Sequence, residues 1–427
     1  MDEAMDNTQA GHQGVIDYLI ASKRCEVRDL EHFLALGALV ATVSDLVHKL
    51  QRERGASNLF LASHGKQFSL ERQQLCCVTD TGIADFHKQL RAVEASIYHV
   101  SGGTRLFSRI ASVLHMLEAL PVHRAQIAAC QFKVEDATRD YNQVVQALLS
   151  IVFETADAAL DPILSASLVA MFNFMQGKEL AGQERAAGAT GFASGLLEEQ
   201  QREHLHYLMD AQQRCFEVFA NFADSDILAH WQQLLEQMPD DEIAQLRQLL
   251  TRRRAGEHHG IRTEPELASR WFVLMTTRID AMKAQEEMLA NHLRSLCVQR
   301  LEAAQQRLQH HESLIPMLQE KAAPPALSPV LDKTAGVNVA GQSESRPVME
   351  LLQFQAQRLQ QMSEELNAAR TALEERKVIE RAKHLLMKHR GLSEEHAHRL
   401  LRQMAMNQSR RLIEIARSVI EMAAVWS

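Results

Sequence analysis

The chain has 427 residues and a formal net charge of −8, and 46% of its residues are hydrophobic. Such a composition excludes a globally disordered protein, and the length is sufficient for two or three domains. The chain contains only 18 glycines, 9 prolines and 5% aromatic residues, whereas Leu, Ala, Gln, Glu and Arg, which favour helices, are abundant. No alternating strand pattern occurs. The sequence therefore predicts an all-α protein.

The amino-terminal residues predict neither export nor membrane insertion. Residues 1–29 begin with the acidic, polar run MDEAMDNTQAGHQG, which is unlike a signal peptide, and we predict a flexible segment there. The apolar run FLALGALVATV at residues 33–43 is shorter than the roughly 20 residues that span a bilayer, and it predicts a buried helix. The six cysteines show no disulfide or zinc spacing. These features indicate a cytoplasmic protein without a membrane partner.

Residues 30–321 form a long helical region with an internal repeat. An offset of 131 residues aligns Glu53-Arg54 with Glu184-Arg185. Each half accommodates about four helices, so we predict two stacked helical bundles. Residues 276–321 predict one long helix that leaves the second bundle and breaks near Pro316. The same offset also aligns Ala137, Arg139 and Tyr141 with Ala268, Arg270 and Phe272.

Three further segments follow the helical region. Residues 322–347 hold four of the nine prolines among Gly, Ser and Ala, which is typical of a linker. Residues 348–375 predict a short coiled coil and hence a homodimer, with a single amphipathic helix as the alternative. Residues 376–427 predict a small three-helix domain. The coiled-coil prediction depends on leucines at a strict seven-residue spacing, Leu352, Leu359, Leu366 and Leu373.

Two arginines lie in apolar surroundings at equivalent positions of the repeat. Arg54 and Arg185 are each followed by small residues, in the runs LQRERGASNLFLASHGK and GQERAAGATGFASGLLE. Small residues let helices approach closely, and an arginine at such a crossing needs a negative partner. Glu53 and Glu184 point about 100° away around the helix, so we expect a bound anion instead. Two facing guanidinium groups, each with parallel N–H donors, suit a small planar oxyanion.

The two runs LQRERGASNLFLASHG and KELAGQERAAGATGFASG resemble the paired motifs of NIT domains, the all-helical nitrate- and nitrite-sensing modules of bacterial regulators. The resemblance covers residues 35–290. It implies that the anion is nitrate or nitrite and that Arg54 and Arg185 are the best candidates to hold it. We predict no cofactor beside this effector. Arg139 and Arg270 are further ligand candidates because they share a repeat position.

The carboxyl-terminal segment is basic, whereas the remainder of the chain is acidic. Residues 376–427 contain 11 Lys and Arg against 5 Asp and Glu, a net charge of +6, which leaves −14 for the rest. A solvated helix face explains some of these cations, but their excess over acids favours a phosphate-binding surface. The candidate residues are Lys383, Lys388, Arg390, Arg399, Arg402, Arg410 and Arg411.

The run VIERAKHLLMKHRGLSEEHAHRLLRQMAM, followed by RRLIEIARSVI, resembles the ANTAR domain, the RNA-binding module of bacterial transcription antiterminators. The resemblance implies a leader RNA with paired hairpins as the partner. Occupation of these hairpins prevents a terminator from forming, so RNA polymerase is affected only indirectly. The alternative is a ligand-responsive helical DNA-binding regulator, although no compact helix-turn-helix pattern is present. A helical scaffold is a third interpretation.

Catalytic and metal motifs are absent from the sequence. The 20 histidines give no HExxH spacing, and no nucleophile motif occurs. We therefore predict a protein that is not an enzyme and has no catalytic or metal site. We also hypothesise that the acidic bundles dock on the basic segment until the anion binds, and that the helix over residues 276–321 carries the signal.

Overall fold

The protein is helical throughout the part of the chain that the structure describes. A computed structural model describes residues 2–100, 102–194, 197, 199–251, 265–321, 371, 375–389, 392, 394–408 and 410–423, and these residues contain no strand. The predicted all-α class is therefore confirmed. The helices are α1 (Asp2–Ala62), α2 (Ser69–Ile97), α3 (Gly103–Ala128), α4 (Val134–Ala158), α5 (Pro162–Ser194), α6 (Glu199–Phe222), α7 (Ser225–Gln237), α8 (Asp240–Thr251), α9 (Pro265–Lys321), α10 (residues 375–389), α11 (Glu394–Gln408) and α12 (Leu412–Ala423).

The first nine helices form two halves that share one hydrophobic core. In the first half, α1 packs against α2 and α4, and α3 packs against α4. In the second half, α5 packs against α6 and α9, with the short helices α7 and α8 beside them. Contacts of α1 with α9 and of α4 with α5 join the halves, and the core extends without interruption from Leu30 to Ala304. The repeat thus forms one continuous body.

The long helix α1 is a core helix. Its apolar side chains recur at positions 36, 39, 40 and 43, the three- and four-residue spacing of one helix face, and all four are fully buried. The predicted buried helix over residues 33–43 is confirmed. The segment Asp17–Ala62 is also long and apolar enough to cross a membrane by composition, but half of its apolar window is buried within the protein, as in core helices of soluble proteins.

Helices α1 and α9 run antiparallel, and their ends are paired. Arg24 contacts Glu312 at 2.9 Å, and Arg307 contacts Glu26 at 2.8 Å. Ile20 is buried as well. Over residues 17–29 the structure therefore shows a helix with partners in α9, 288 and 281 residues away along the chain, where the sequence predicted a flexible segment.

The predicted break near Pro316 is wrong, since α9 continues to Lys321. A proline removes one backbone hydrogen bond and bends a helix, but the remaining hydrogen bonds can carry the helix past it. Pro121 lies inside α3 in the same way.

A buried ion pair joins the three longest packed helices. Lys178 of α5 and Glu286 of α9 are 2.5 Å apart and fully buried, and Ser44 of α1 donates a hydrogen bond to the same carboxylate at 3.2 Å. Such a pair contributes little net stability, but removing either partner leaves a buried charge and is costly. The relative placement of α1, α5 and α9 is therefore held at one point.

The three carboxyl-terminal helices enclose a small core of their own, as predicted. Helices α10, α11 and α12 surround Ala382, Leu386, Ala397, Leu401 and Val419. The predicted linker over residues 322–347 and the four leucines of the predicted coiled coil lie outside the described residues, as does Arg390. The coiled coil and the homodimer therefore stay predictions.

Candidate functional site

Arg54 and Arg185 lie together where α1 and α5 cross. A Cβ atom on Gly55 would lie 3.2 Å from Nη2 of Arg185, and one on Gly182 would lie 2.9 Å from Nη2 of Arg54. Each guanidinium thus rests on a glycine of the opposite helix, where a larger side chain would displace it. Burial, together with the charge of Arg54, lowers the pKa of Arg185 to about 10. The structure therefore brings the two predicted ligand arginines into one site.

Arg54 has a carboxylate partner that the sequence did not reveal. Its Nη1 donates to Oε1 of Glu179 at 2.5 Å and its Nη2 to Oε2 at 3.3 Å, and Nη1 also donates to Asn142. Arg54 is 3% exposed and Glu179 is fully buried. The amides of Gln51 and Gln183 each donate to Glu179 at 2.8 Å. The expectation that both arginines lack a partner within the chain is therefore wrong for Arg54.

Arg185 has no such partner among the described residues, where no carboxylate lies within 4.0 Å of its guanidinium. Its Nη1 donates to the hydroxyl of Thr276 at 3.0 Å, and its guanidinium lies over the ring of Phe272 at 4.8 Å. A neutral hydroxyl and an aromatic face position the cation but do not neutralise it. Arg185 is consequently the group at this crossing that an external anion would complement.

The glutamates next to the two arginines serve a different purpose. Arg124 donates to both oxygens of Glu53 at 2.7 Å, and Tyr141 donates to Glu53 at 2.6 Å. Arg247 donates to both oxygens of Glu184 at 2.6 and 2.7 Å. Each glutamate therefore holds an arginine of its own half. The repeated Glu-Arg dipeptide places the carboxylate inside one half and directs the guanidinium toward the other half.

The other two ligand candidates lie at the surface. The Arg139 side chain is 62% exposed and contacts Asp136 at 2.7 Å, and the Arg270 side chain is 64% exposed and contacts Glu242. Tyr141, two residues after Arg139, is buried. Because residues two apart point about 200° away from each other around a helix, this burial turns Arg139 outward. The 131-residue offset therefore aligns two arginines that lie at the surface, and the residue two positions after each of them is aromatic.

The arginine crossing opens into a cleft that extends to the carboxyl-terminal domain. The cleft has a volume of about 2600 Å³, and Arg54, Arg185 and Phe272 line one part of it, whereas Asn173 and Arg376 line another. Arg376 of α10 donates to Asn173 of α5 at 2.6 Å, and its guanidinium lies 5.0 Å from the ring centre of Phe172. Helix α5 therefore contacts both the arginine site and α10.

Helix α6 covers part of the basic face of the carboxyl-terminal domain. Arg399 donates to Glu203 at 2.7 Å, and Arg402 donates to Asp210 at 2.8 Å. Lys383 is 4% exposed and lies 2.8 Å from Glu380 and 2.7 Å from Glu394. The expectation that these cations lack compensating acids is therefore wrong: α6 supplies the acids for Arg399 and Arg402, and the carboxyl-terminal domain itself supplies those for Lys383.

The remaining RNA-binding candidates lie elsewhere on the domain. Arg410 contacts Glu414 at 3.0 Å, Arg411 contacts Glu375 at 3.3 Å, and Lys388 is exposed. In this arrangement the predicted basic surface is divided between a covered part and an accessible part.

Comparison with known proteins agrees with both parts of this organisation. Residues 45–294 match the family described as nitrate and nitrite sensing, NIT, and residues 367–420 match the ANTAR domain. Over 99% of its length the chain is 33% identical to a nitrate regulatory protein of Klebsiella oxytoca, of which it covers 98%. It also resembles the solved structure of the NasR transcription antiterminator, with 32% identity and a TM-score of 0.60 over 97% of this chain and 100% of the other.

These matches confirm the two resemblances that the sequence motifs predicted. An ANTAR domain binds RNA, so the alternative of a DNA-binding regulator is wrong. The chain belongs to the NIT family of nitrate- and nitrite-sensing proteins, with an ANTAR domain at its carboxyl end as in NasR-type transcription antiterminators.

Proposed function

We propose that this protein is a one-component, cytoplasmic, nitrate- and nitrite-sensing transcription antiterminator. The observation that carries the proposal is Arg185, a partly buried cation without a carboxylate partner among the described residues, beside Arg54 in a cleft that reaches the ANTAR domain. The effector is nitrate or nitrite, and no cofactor takes part. The RNA partner is a leader with paired hairpins, which a homodimer of this chain occupies so that a terminator cannot form; RNA polymerase responds indirectly.

The charges at the crossing favour a monovalent anion. Arg54 and Arg185 contribute two positive charges, and Glu179, the carboxylate in ion-pair contact with Arg54, contributes one negative charge. Asp280 also acts on Arg185, but it is exposed and forms no ion pair with it among the described residues, so water screens its charge and about one positive charge remains at the crossing. A planar monoanion balances this charge and accepts parallel N–H bonds from a guanidinium. A doubly charged phosphate would leave an uncompensated negative charge in a buried place, which is costly. Nitrate and nitrite therefore fit better than phosphate or sulfate.

The contacts of α5 give the anion a direct route to the RNA-binding domain. Arg185 and Asn173 lie on the same helix, 12 residues apart, which is a distance of about 18 Å along its axis. Asn173 holds Arg376 of α10. A shift of α5 on anion binding would therefore act on the docked ANTAR domain without passing through α9 and the linker, the route that the sequence analysis favoured. Anion binding then releases the covered basic face.

The proposal is tested by measuring RNA binding of the full chain with and without nitrate. The probe is a transcript of two tandem hairpins from the leader of a nitrate-assimilation operon, with a duplex DNA of the same sequence as the control. We expect nitrate to strengthen RNA binding at least tenfold and to leave DNA binding weak. In Arg185→Ala the response to nitrate should disappear. Equal RNA affinity of the unsubstituted protein with and without nitrate would contradict the proposal.

A further inference from the structure

One face of α6 presents an acidic, an aromatic and another acidic side chain to the ANTAR domain. Glu203, Tyr207 and Asp210 occupy positions i, i+4 and i+7, which lie in one row along a helix. Glu203 accepts from Arg399 and Asp210 accepts from Arg402. Tyr207 lies between these two ion pairs. This row therefore presents a negative charge, an aromatic ring and a second negative charge. A nucleic acid strand presents the same order, because a base lies between two phosphates.

The ring of Tyr207 occupies a pocket formed by three ANTAR side chains. Its hydroxyl donates to Oε1 of Glu394 at 3.1 Å. The ring packs edge-on against His398, with centroids 5.5 Å apart, and Nζ of Lys383 lies 6.0 Å from its centroid. Lys383 and His398 are both buried. The pocket therefore combines an aromatic wall, a cation and a carboxylate acceptor.

The protonation states keep this pocket suited to a neutral ring with a donor. Burial and the nearby charges of Arg214, Lys383 and Arg402 lower the pKa of His398 to about 4, so its ring is neutral. Burial tends to raise the pKa of Glu394, but Lys383 and the Tyr207 hydroxyl lower it overall, so the carboxylate is charged. Burial also raises the pKa of Tyr207 to about 12, so its hydroxyl remains a donor.

We propose that the pocket of Lys383, Glu394 and His398 is the binding site for one unpaired base of the target RNA, and that Tyr207 occupies it as a base mimic. Proteins read single-stranded RNA by stacking unpaired bases on aromatic side chains and by hydrogen bonds to their Watson–Crick edges. A Glu carboxylate accepts a hydrogen bond from a base N–H in the same way as from Tyr207. Arg399 and Arg402 then bind the adjacent phosphates instead of Glu203 and Asp210.

This inference rests on the proposed function, because it requires that the ANTAR domain binds RNA. It goes further in assigning a base-specific pocket and its ligand chemistry, a nucleobase with an N–H donor. A purely electrostatic docking surface would need only Glu203 and Asp210. A tyrosine whose hydroxyl is directed at a carboxylate already paired with Lys383 indicates a shaped site.

The first experiment scans the RNA with abasic sites. Each loop nucleotide of the tandem-hairpin transcript is replaced in turn, and binding to the nitrate-saturated full chain is measured for the unsubstituted protein, Glu394→Gln and His398→Ala. We expect one loop position whose abasic form binds about tenfold more weakly or worse. Both substitutions should weaken binding of the intact RNA by a similar factor, and neither should weaken binding of that abasic RNA further. His384→Ala, an exposed histidine on α10, is the matched control and should bind like the unsubstituted protein.

Two outcomes separate this inference from the proposed function. If the unsubstituted protein with nitrate does not bind the intact transcript, the proposed function fails. If it binds, but Glu394→Gln and His398→Ala bind equally well while retaining their helical circular dichroism, the base pocket is refuted. The base pocket is also refuted if Glu394→Gln and His398→Ala weaken binding of every abasic RNA as much as binding of the intact RNA. The two residues would then act only on domain stability.

The second experiment tests the mimicry without nitrate. Tyr207→Ala should raise RNA affinity of the nitrate-free chain at least tenfold, and Tyr207→Phe should raise it less, because the ring remains and only the hydroxyl is lost. Asn221→Ala changes an exposed residue of α6 and should change nothing. If Tyr207→Ala binds RNA no better than the unsubstituted protein, Tyr207 does not occupy the base site.

Discussion

At the scale of single residues, the two arginines of the crossing are equivalent in the repeat but unequal in their surroundings. Arg54 forms a buried ion pair with Glu179, whereas Arg185 contacts a hydroxyl and an aromatic ring. Glu179 also accepts hydrogen bonds from Gln51 and Gln183, so it remains solvated by amides if an anion draws Arg54 away. This difference gives the two arginines distinct roles in stability and in ligand binding.

Substitution of the two arginines should therefore have different effects on stability. Arg54→Ala leaves Glu179 buried without its cation and should lower the free energy of unfolding by about 3–5 kcal/mol. Arg185→Ala removes a charge that is repelled by Arg54 and should leave the free energy of unfolding nearly unchanged. Urea denaturation of both variants measures the difference, and nitrate binding should be lost in both. If the two variants had equal free energies of unfolding, the buried carboxylate of Glu179 would not require Arg54 as its cation.

Glu179→Gln tests whether Glu179 competes with nitrate for the arginines or orients Arg54 for nitrate binding. The substitution keeps the shape of the side chain and removes one negative charge beside the arginines. We expect nitrate to bind about tenfold more tightly or better, because a charge repulsion is removed from a poorly solvated site. Calorimetry measures the affinity, with Glu236→Gln, an exposed carboxylate of α7, as the matched control. Weaker nitrate binding in Glu179→Gln would show that Glu179 instead orients Arg54.

At the scale of helices, α5 contacts both the ANTAR domain and the proposed anion site. It carries Asn173, which holds α10, together with Lys178, Glu179 and Arg185. Helix α5 has only four charged residues among its 33, in the pairs Lys178-Glu179 and Glu184-Arg185. Three of the four are buried, and each of these three is paired with a charge from another helix. These pairs join α5 to α1, α8 and α9.

The contact between Asn173 and Arg376 should control docking of the ANTAR domain. Asn173→Ala removes the acceptor of Arg376 and should raise RNA affinity of the nitrate-free chain about fivefold, a net loss of about 1 kcal/mol of docking energy. Asn221→Ala, an exposed asparagine of α6, is the control and should have no effect. A gel shift with the hairpin transcript measures both. If nitrate affinity also changes in Asn173→Ala, the anion site and α10 are coupled through α5.

The repeat made much of this organisation predictable, but not the partners of the charged residues. The equal offset of Arg54 and Arg185 predicted a shared site because both lie in runs of small residues. Glu179 could not be found from the repeat, since the equivalent position in the first half is His48. A signal was nevertheless present, because charged residues in a largely apolar helix must be buried with partners.

The partners of Glu53 and Glu184 were unpredictable for a different reason. Arg124 and Arg247 follow their glutamates by 71 and 63 residues, so the two halves have diverged in the length of their intervening helices and no constant offset relates these arginines. Similarly, Glu203 and Asp210 appeared as ordinary surface acids of α6, and only the docked domain shows what they contact. Local patterns predict elements, whereas contacts between distant elements depend on their packing.

At the scale of the whole molecule, the acidic body and the basic domain contact each other through ion pairs that are partly exposed. Arg399–Glu203 and Arg402–Asp210 each retain access to solvent, and exposed pairs of this kind contribute little energy individually. We therefore expect these ion pairs to add little to docking of the ANTAR domain, so that a small ligand is able to reverse it. It is also sensitive to ionic strength.

The carboxyl-terminal part alone should therefore bind RNA without nitrate. A fragment of residues 348–427 contains the core of α10, α11 and α12 but lacks α5 and α6, which cover its basic face. We expect it to bind the hairpin transcript as tightly as the nitrate-bound full chain. Its affinity should not change when nitrate is added. A fragment that folds and dimerises but does not bind would show that the NIT domain assembles the RNA-binding form rather than covering it.

The pair of Arg54 with Glu179 has a consequence for the shape of the response to nitrate. A duplicated sensor with two unpaired arginines would be able to hold two ions, but Glu179 pairs with one of them, so we expect a stoichiometry of one ion per chain. A single site gives a hyperbolic dose–response curve, in which a rise from 10% to 90% occupancy takes roughly an 80-fold change in concentration. Any steeper curve must therefore arise between chains, so a Hill coefficient above one would measure cooperation between two copies on the same RNA.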